Sequence, residues 1–195
     1  ADSTNGWIPT SDIAVADEPA ILQKAIFAYG YASSDVSTSN LVSSSGVVGS
    51  DVSGVGTARR GLAAAGYGTD KAIFAYGYTG SAVSLSNLVN SSGTVAADVS
   101  GVGTARYYPA AAGYGGDKAI FAYGTTGSMV SISNLVNNSG VVAADVTGVG
   151  TARQGPAAAG YGGDKAIFAY GGAGTDVGDG VSVSNLVTNV GVVGT

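Results

Sequence analysis

Three arginines recur at intervals of 47 residues, Arg59, Arg106 and Arg153, each closing a Gly-Val-Gly-Thr-Ala-Arg run. Guanidiniums at equivalent positions could converge on one anion, because each carries a planar fork of donors that matches a carboxylate. The competing reading pairs each arginine with the aspartate eight residues upstream, Asp51, Asp98 or Asp145, as part of the repeat's own framework. A residue present in every copy serves the copy's architecture first, so the second reading is the stronger. Lys71, Lys118 and Lys165 each follow an aspartate in a turn and read as solvated caps on it. Asp176 and Asp179 stand three residues apart in the run GGAGTDVGDG, a pair of oxygen ligands of the kind Ca²⁺ takes. That run lacks the D-x-D-x-D-G spacing and its closing glutamate, and a plain solvated loop is preferred. The chain has neither His nor Cys. The commonest general base, the commonest metal ligand, thiol nucleophiles and disulfides are therefore absent. Serines are plentiful, but no G-x-S-x-G turn presents one. The expectation is a protein that is not an enzyme and holds no cofactor or metal. Glycan hydrolysis through the Asp176 and Asp179 pair is the enzymatic alternative.

The elements that carry these residues are set by repetition. KAIFAYG begins at Lys24, Lys71, Lys118 and Lys165, and SNLV places Asn40, Asn87 and Asn134 at the same 47-residue interval. Between Asp70–Gly116 and Asp117–Gly163, 39 of 47 positions are identical, so the repeat is near exact. The last copy carries a four-residue insertion, which puts Asn185 51 residues after Asn134. Residues 1–22 form a divergent N-terminal arm and the start of a first unit, with Trp7 as an anchor; residues 23–195 are four repeats forming one domain.

A unit of this length suits a four-stranded propeller blade. Glycine and β-branched residues saturate every copy, and no long glycine-free stretch has a helical period. Four strands are expected per unit: an Ala-rich one such as Ala157–Tyr161, then Lys118–Tyr123, Val130–Val136 and Val141–Val146. The Gly162–Gly163 pair makes a two-residue hairpin loop between the first two. The Ala-rich strand fits a crowded central axis, and the KAIFA strand is apolar on both sides because neighbouring blades cover both. Tyr29, Tyr67, Tyr114, Tyr123, Tyr161 and Tyr170 recur with the blade and read as packing groups. The expected fold is all-β and β-propeller-like, four repeats of a four-stranded antiparallel blade. A β-solenoid or a fibrous trimeric β structure is the alternative.

The unit TARQGPAAAGYGGDKAIFAYG resembles the Kelch repeat, in which an arginine-containing turn precedes an Ala-rich inner strand, a glycine turn and an apolar strand ending in paired glycines. Here those glycines are replaced by Ala-Tyr-Gly, and the Tyr and Trp usual in the outer strands are missing. The resemblance spans residues 14–195 and implies a propeller acting as a binding platform. Kelch-like oxidases use His, Cys and Tyr at copper, and this chain has only the last. The repeats are also similar to those of uncharacterised bacteriophage and marine bacterial proteins, which implies a virion or cell-surface component of the tail-fibre, receptor-binding or decoration type. A Kelch-type interaction adaptor is the alternative.

Variation between copies points to one end of the blades. The Ala-strand hairpin and the turn after SNLV barely change, whereas the loop after KAIFAYG and the connection between units do. Loops on a rigid scaffold are where binding is placed. The candidate contacts are Tyr31, Arg60, Tyr78, Tyr107, Tyr108 and Gln154, with Asp176 and Asp179 in the long loop. Net charge is −5 and only 11% of residues are charged. This argues against nucleic acid as partner. The apolar runs are too short for a membrane helix. No secretory leader is visible, and a start at Ala1 fits removal of one. Four blades are few for ring closure and no strand is left to latch one, so other copies of the chain, or other virion or surface proteins, are expected partners beside a surface glycan.

Overall fold

The computed structural model describes residues 24–174 and 179–195, and all regular elements in it are strands. The N-terminal arm, Trp7 and Asp176 lie outside the described residues. Eleven strands form four small antiparallel sheets in chain order. The first sheet pairs β1 (Ala25–Tyr31) with β2 (Asp35–Val42). The second is β3 (Ala63–Tyr67), β4 (Lys71–Ala75) and β5 (Ser86–Val89). The third repeats it as β6 (Ala110–Tyr114), β7 (Lys118–Ala122) and β8 (Ser133–Val136), and the fourth as β9 (Ala157–Tyr161), β10 (Lys165–Ala169) and β11 (Ser184–Val187). Each Ala-rich strand is joined to its KAIFA strand by three residues, such as Gly162, Gly163 and Asp164 between the paired Tyr161 and Lys165, so the expected two-residue loop is lengthened by the aspartate; the first two take positive φ, 62° at Gly162 and 81° at Gly163. In the second sheet those two are Gly68 and Thr69, and the β-branched Thr69 sits at φ 71°. Among the described hairpins this is the one in which glycine does not fill the position.

Sheets stack face to face. The period of two along KAIFA sends Ile120 into one cluster with Ala166, Phe168 and Val187 of the fourth sheet, while Phe121 joins another with Ile73 and Tyr76 of the second. Both faces of the strand are thereby buried, as its composition requires. The Ala-rich strands β3, β6 and β9 pack against their neighbours in turn, close enough that Gly113 and Gly160 each lie beside a glycine carbonyl of the preceding strand.

Two expectations about the outer strands are corrected. The third strand begins at Ser133 rather than Val130. Tyr123 and Gly124 take φ values of 65° and 107°, and this left-handed pair ends the ladder before Val130 can join. The same pair recurs at Tyr76-Gly77 and Tyr170-Gly171, whereas at Tyr29-Gly30 it forms a bulge and the ladder runs on to Tyr31 opposite Asp35. The fourth strand reduces to isolated bridges, Val136 with Val142 and Ser133 with Val146. The register slips by one residue between them, a bulge that turns Asp145 toward Asn134, whose Nδ2 donates to its Oδ1 over 2.9 Å.

Candidate functional site

At the end of each sheet where the Ala-rich strand begins, the connection between sheets meets the loop after KAIFAYG. Arg60 bridges Tyr78, Tyr107 bridges Thr125, and Gln154 bridges Gly172. The bridges are two-way in the first pair, with Arg60 N donating to Tyr78 O over 3.1 Å and Tyr78 N to Arg60 O over 2.8 Å. Successive connections are also tied to one another: Tyr108 N donates to Gly61 O over 2.7 Å, and Gly155 N to Tyr108 O over 2.8 Å. The two variable loop sets therefore share one end of the molecule, as the comparison of copies suggests.

Five of the candidate residues form a continuous ladder. The Arg60 guanidinium carbon lies 4.9 Å from the ring centres of both Tyr31 and Tyr78, and its Nη1 holds the Asp35 carboxylate at 2.8 Å. Tyr78 meets Tyr107 edge-on at 5.0 Å, and Tyr107 meets Tyr108 at 5.2 Å. Tyr31 and Tyr108 are exposed, while Tyr78 and Tyr107 are half-buried between them. Tyr108 adopts φ 52° at a position where the adjoining connections have Gly61 and Gly155 at 61° and 56°. A tyrosine there stores backbone strain on the order of 1–2 kcal/mol, and about half of its surface stays in water.

The remaining candidates are placed apart from this ladder. Gln154 is half-buried in its own bridge to Gly172. Asp179 lies in the long loop, its backbone oxygen accepting from Ala173 N over 2.9 Å and its carboxylate packed against Gly174. Among the described residues no three acidic or other ligating side chains gather as a metal site.

The repeated arginines do not converge; each is wholly buried in its own joint between sheets. Arg59 donates from Nε to Tyr76 O at 2.9 Å, from Nη1 to Thr57 O at 3.1 Å, and from Nη2 to Asn87 Oδ1 at 2.6 Å. Its other face covers Tyr29 of the first sheet, 4.2 Å from the ring centre. Arg106 over Tyr76 at 3.9 Å and Arg153 over Tyr123 at 3.7 Å repeat that stacking. The carboxylate near Arg59 is Asp98, 3.9 Å away, and not Asp51. The upstream pairing is thus corrected. The arginine opens one sheet, and the aspartate it faces closes that same sheet rather than the one before. Asp98 is held by Thr57 N at 3.0 Å, Thr57 Oγ1 at 2.6 Å and Asn87 Nδ2 at 2.9 Å; Asp145, Thr104 and Asn134 repeat the arrangement. Partial burial alone would raise the Asp98 carboxyl, but these hydrogen bonds outweigh it and hold the group below the ordinary value. Burial pushes the Tyr76 phenol up to about 12 despite Arg106 beside it. In the second and third joints Arg106 Nε, Arg153 Nε, Asn134 Oδ1 and Asn185 Oδ1 are buried without partners.

Sequence reasoning missed a feature at the opposite, invariant end. A cleft of about 490 Å³ opens between the Ala-strand hairpins, lined by Tyr67, Tyr114 and Tyr161 and by Lys71, Lys118 and Lys165. Each lysine is paired with the aspartate before it, at 3.0, 2.5 and 2.8 Å, so the capping role is kept and the cleft carries balanced charge. The 47-residue spacing of lysines beside the inner hairpin was the available signal.

Among the described residues no helix is long and apolar enough to cross a membrane. No family model and no curated protein matches the sequence. The fold is similar to that of the solved structure of YjhT, with a TM-score of 0.58 and 15% identity over 78% of this chain. That match covers 49% of YjhT, so the chain spans about half that protein's length.

Proposed function

We propose that the chain is an arc of Kelch-like propeller blades that serves as a non-catalytic binding component of a virion or cell surface, and that it takes a glycan at the variable loop end. The observation that carries this reading is Tyr108. A tyrosine occupies a left-handed backbone position that glycine fills in the adjoining copies, and it is 46% exposed to solvent. Strain kept at a side chain that stays half exposed is a signature of a site that uses it. The ladder from Tyr31 to Tyr108 supports the same reading. Exposed rings offer faces to the C–H side of a sugar, and the Arg60–Asp35 pair beside them offers donors and acceptors to its hydroxyls.

The test is Tyr108→Gly on an array of immobilised neutral and acidic oligosaccharides. Gly61 and Gly155 already occupy the equivalent backbone, so the variant keeps the fold and loses only the ring. Loss of an anchor worth ~2 kcal/mol weakens binding about 30-fold. Unchanged binding by Tyr108→Gly and by Tyr107→Ala would overturn the placement of the site. An array bound by neither variant nor parent, with a surface protein retained instead, would assign the same end to a protein partner.

A further inference from the structure

The three joints between successive sheets are copies of one contact. The tyrosine of the AYG turn in one sheet meets the phenylalanine of the next edge-on: Tyr29 with Phe74 at 5.5 Å, Tyr76 with Phe121 at 5.5 Å, and Tyr123 with Phe168 at 5.6 Å. A second contact sits beside it. The leucine of SNLV approaches the glycine turn of the next sheet, Leu41 beside Gly93, Leu88 beside Gly140 and Leu135 beside Gly191. Within the array these groups are shielded, and Phe121 and Tyr123 are each 0% exposed.

At the two ends of the array the halves of this joint are left open. Phe27 of the first sheet, equivalent to Phe121, is 63% exposed, and nothing lies near the Cβ position of Gly46, the equivalent of Gly93. Tyr170 of the fourth sheet, equivalent to Tyr123, is also 63% exposed, and Leu186 beside it is 53% exposed. The expectation that all the repeated tyrosines are packing groups therefore fails at this end, where Tyr161 and Tyr170 face solvent. One chain thus carries the knob at one end and its seat at the other.

We propose that the fourth sheet of one copy docks on the first sheet of a second copy, with Tyr170 of the first against Phe27 of the second in the geometry of the interior joints. The argument is continuity with an interface that the chain already forms three times. It is independent of the glycan reading, which concerns a different surface. A joint of this kind is heterologous, since the surfaces in contact differ, and it extends to rings or open chains. It carries the aromatic and leucine parts of the interior contact. The 47-residue period aligns Asp12 with Arg59, so no arginine is supplied to cover Tyr170. The association is consequently weaker than an interior joint and depends on concentration.

Sedimentation velocity of the full chain over a concentration series tests this, with Phe27→Asp and Tyr170→Asp as variants. Both side chains are more than half exposed, so neither substitution disturbs an interior contact, and far-UV spectra check the fold. The parent's weight-average mass is expected to rise with concentration, and each variant to stay monomeric. An equimolar mixture of the two variants retains one intact seat and one intact knob. It should form a species of two chains and nothing larger. A parent that is monomeric throughout, as when the ends are covered within one chain, overturns the proposal. So does a variant that associates as the parent does, or a mixture that stays monomeric while the parent assembles.

Discussion

Removing the Arg59 side chain tests the account of the joints most directly. The guanidinium is fully buried and donates to Tyr76 O, Thr57 O and Asn87 Oδ1, with Asp98 3.9 Å away and the Tyr29 ring beneath it. Arg59→Ala leaves three acceptors unpaired, each worth roughly 1–3 kcal/mol when dry. Water entering the cavity offsets part of this, as does relief of the arginine's own desolvation. The expected net loss is about 3–5 kcal/mol, the range for breaking one side of a buried charged network. Arg153→Ala should cost less, because Arg153 Nε has no acceptor to lose and its Nη2 reaches Phe168 O only at 3.4 Å. Urea denaturation followed by far-UV signal and tyrosine fluorescence gives both values. The same assay distinguishes the two aspartates. Asp98→Asn should cost on the order of 1–2 kcal/mol, since its charge-assisted bonds from Thr57 and Asn87 weaken. Asp51→Asn, at an exposed site, should stay within about 0.5 kcal/mol. A loss under about 1 kcal/mol for Arg59→Ala, or equal losses at Asp51 and Asp98, would refute the reasoning.

Two further outcomes follow from the same geometry. Thr69→Gly should raise stability by about 0.5–1 kcal/mol in the same assay, because a β-branched residue at φ 71° gives way to the glycine used in the third and fourth sheets, partly offset by the freer unfolded chain. Asp98 and Asp145 titrate below the ordinary carboxylate value in the folded chain, so their contribution is complete above about pH 4 and is lost as pH falls through their folded values. Tyr76, raised to about 12, works in the other direction: its contribution is complete below about pH 10 and is lost as pH rises toward 12. Denaturation midpoints against pH should be flat between these limits, and phenolate absorbance should lag behind that of free tyrosine. A midpoint that rises on acidification below pH 4 would contradict the sign.

Much of the architecture is local and therefore legible in the residues. The site of the hairpin is written in Gly162-Gly163, because positive φ at both positions is a property of the residues that occupy them, while the inclusion of Asp164 in the turn is set by the strand register. The two-sided burial of KAIFA follows from a period of two with no polar position between Ala119 and Ala122. The sharing of one end by the variable loops follows from strand alternation alone, and it brings Arg60, Tyr78 and Tyr107 together.

What the chain does over longer separations was decided only in three dimensions. An aspartate eight residues from an arginine looks like its partner, yet a sheet closes by bringing its last strand back to its first connection, and Arg59 meets Asp98 instead. The one-residue slip that aims Asp145 inward, and with it the loss of a continuous fourth strand, goes with hydrogen bonds donated by Asn134 of β8 and by Thr104, 41 residues earlier in the connection that opens the same sheet. Tyr108 is an ordinary tyrosine in sequence, and only the backbone path shared with Gly61 and Gly155 makes it strained. Phe27 and Phe121 lie in the same heptapeptide, so composition assigns them one environment. Whether a neighbouring sheet covers each is a matter of position in the stack, and it leaves the first exposed and the second buried.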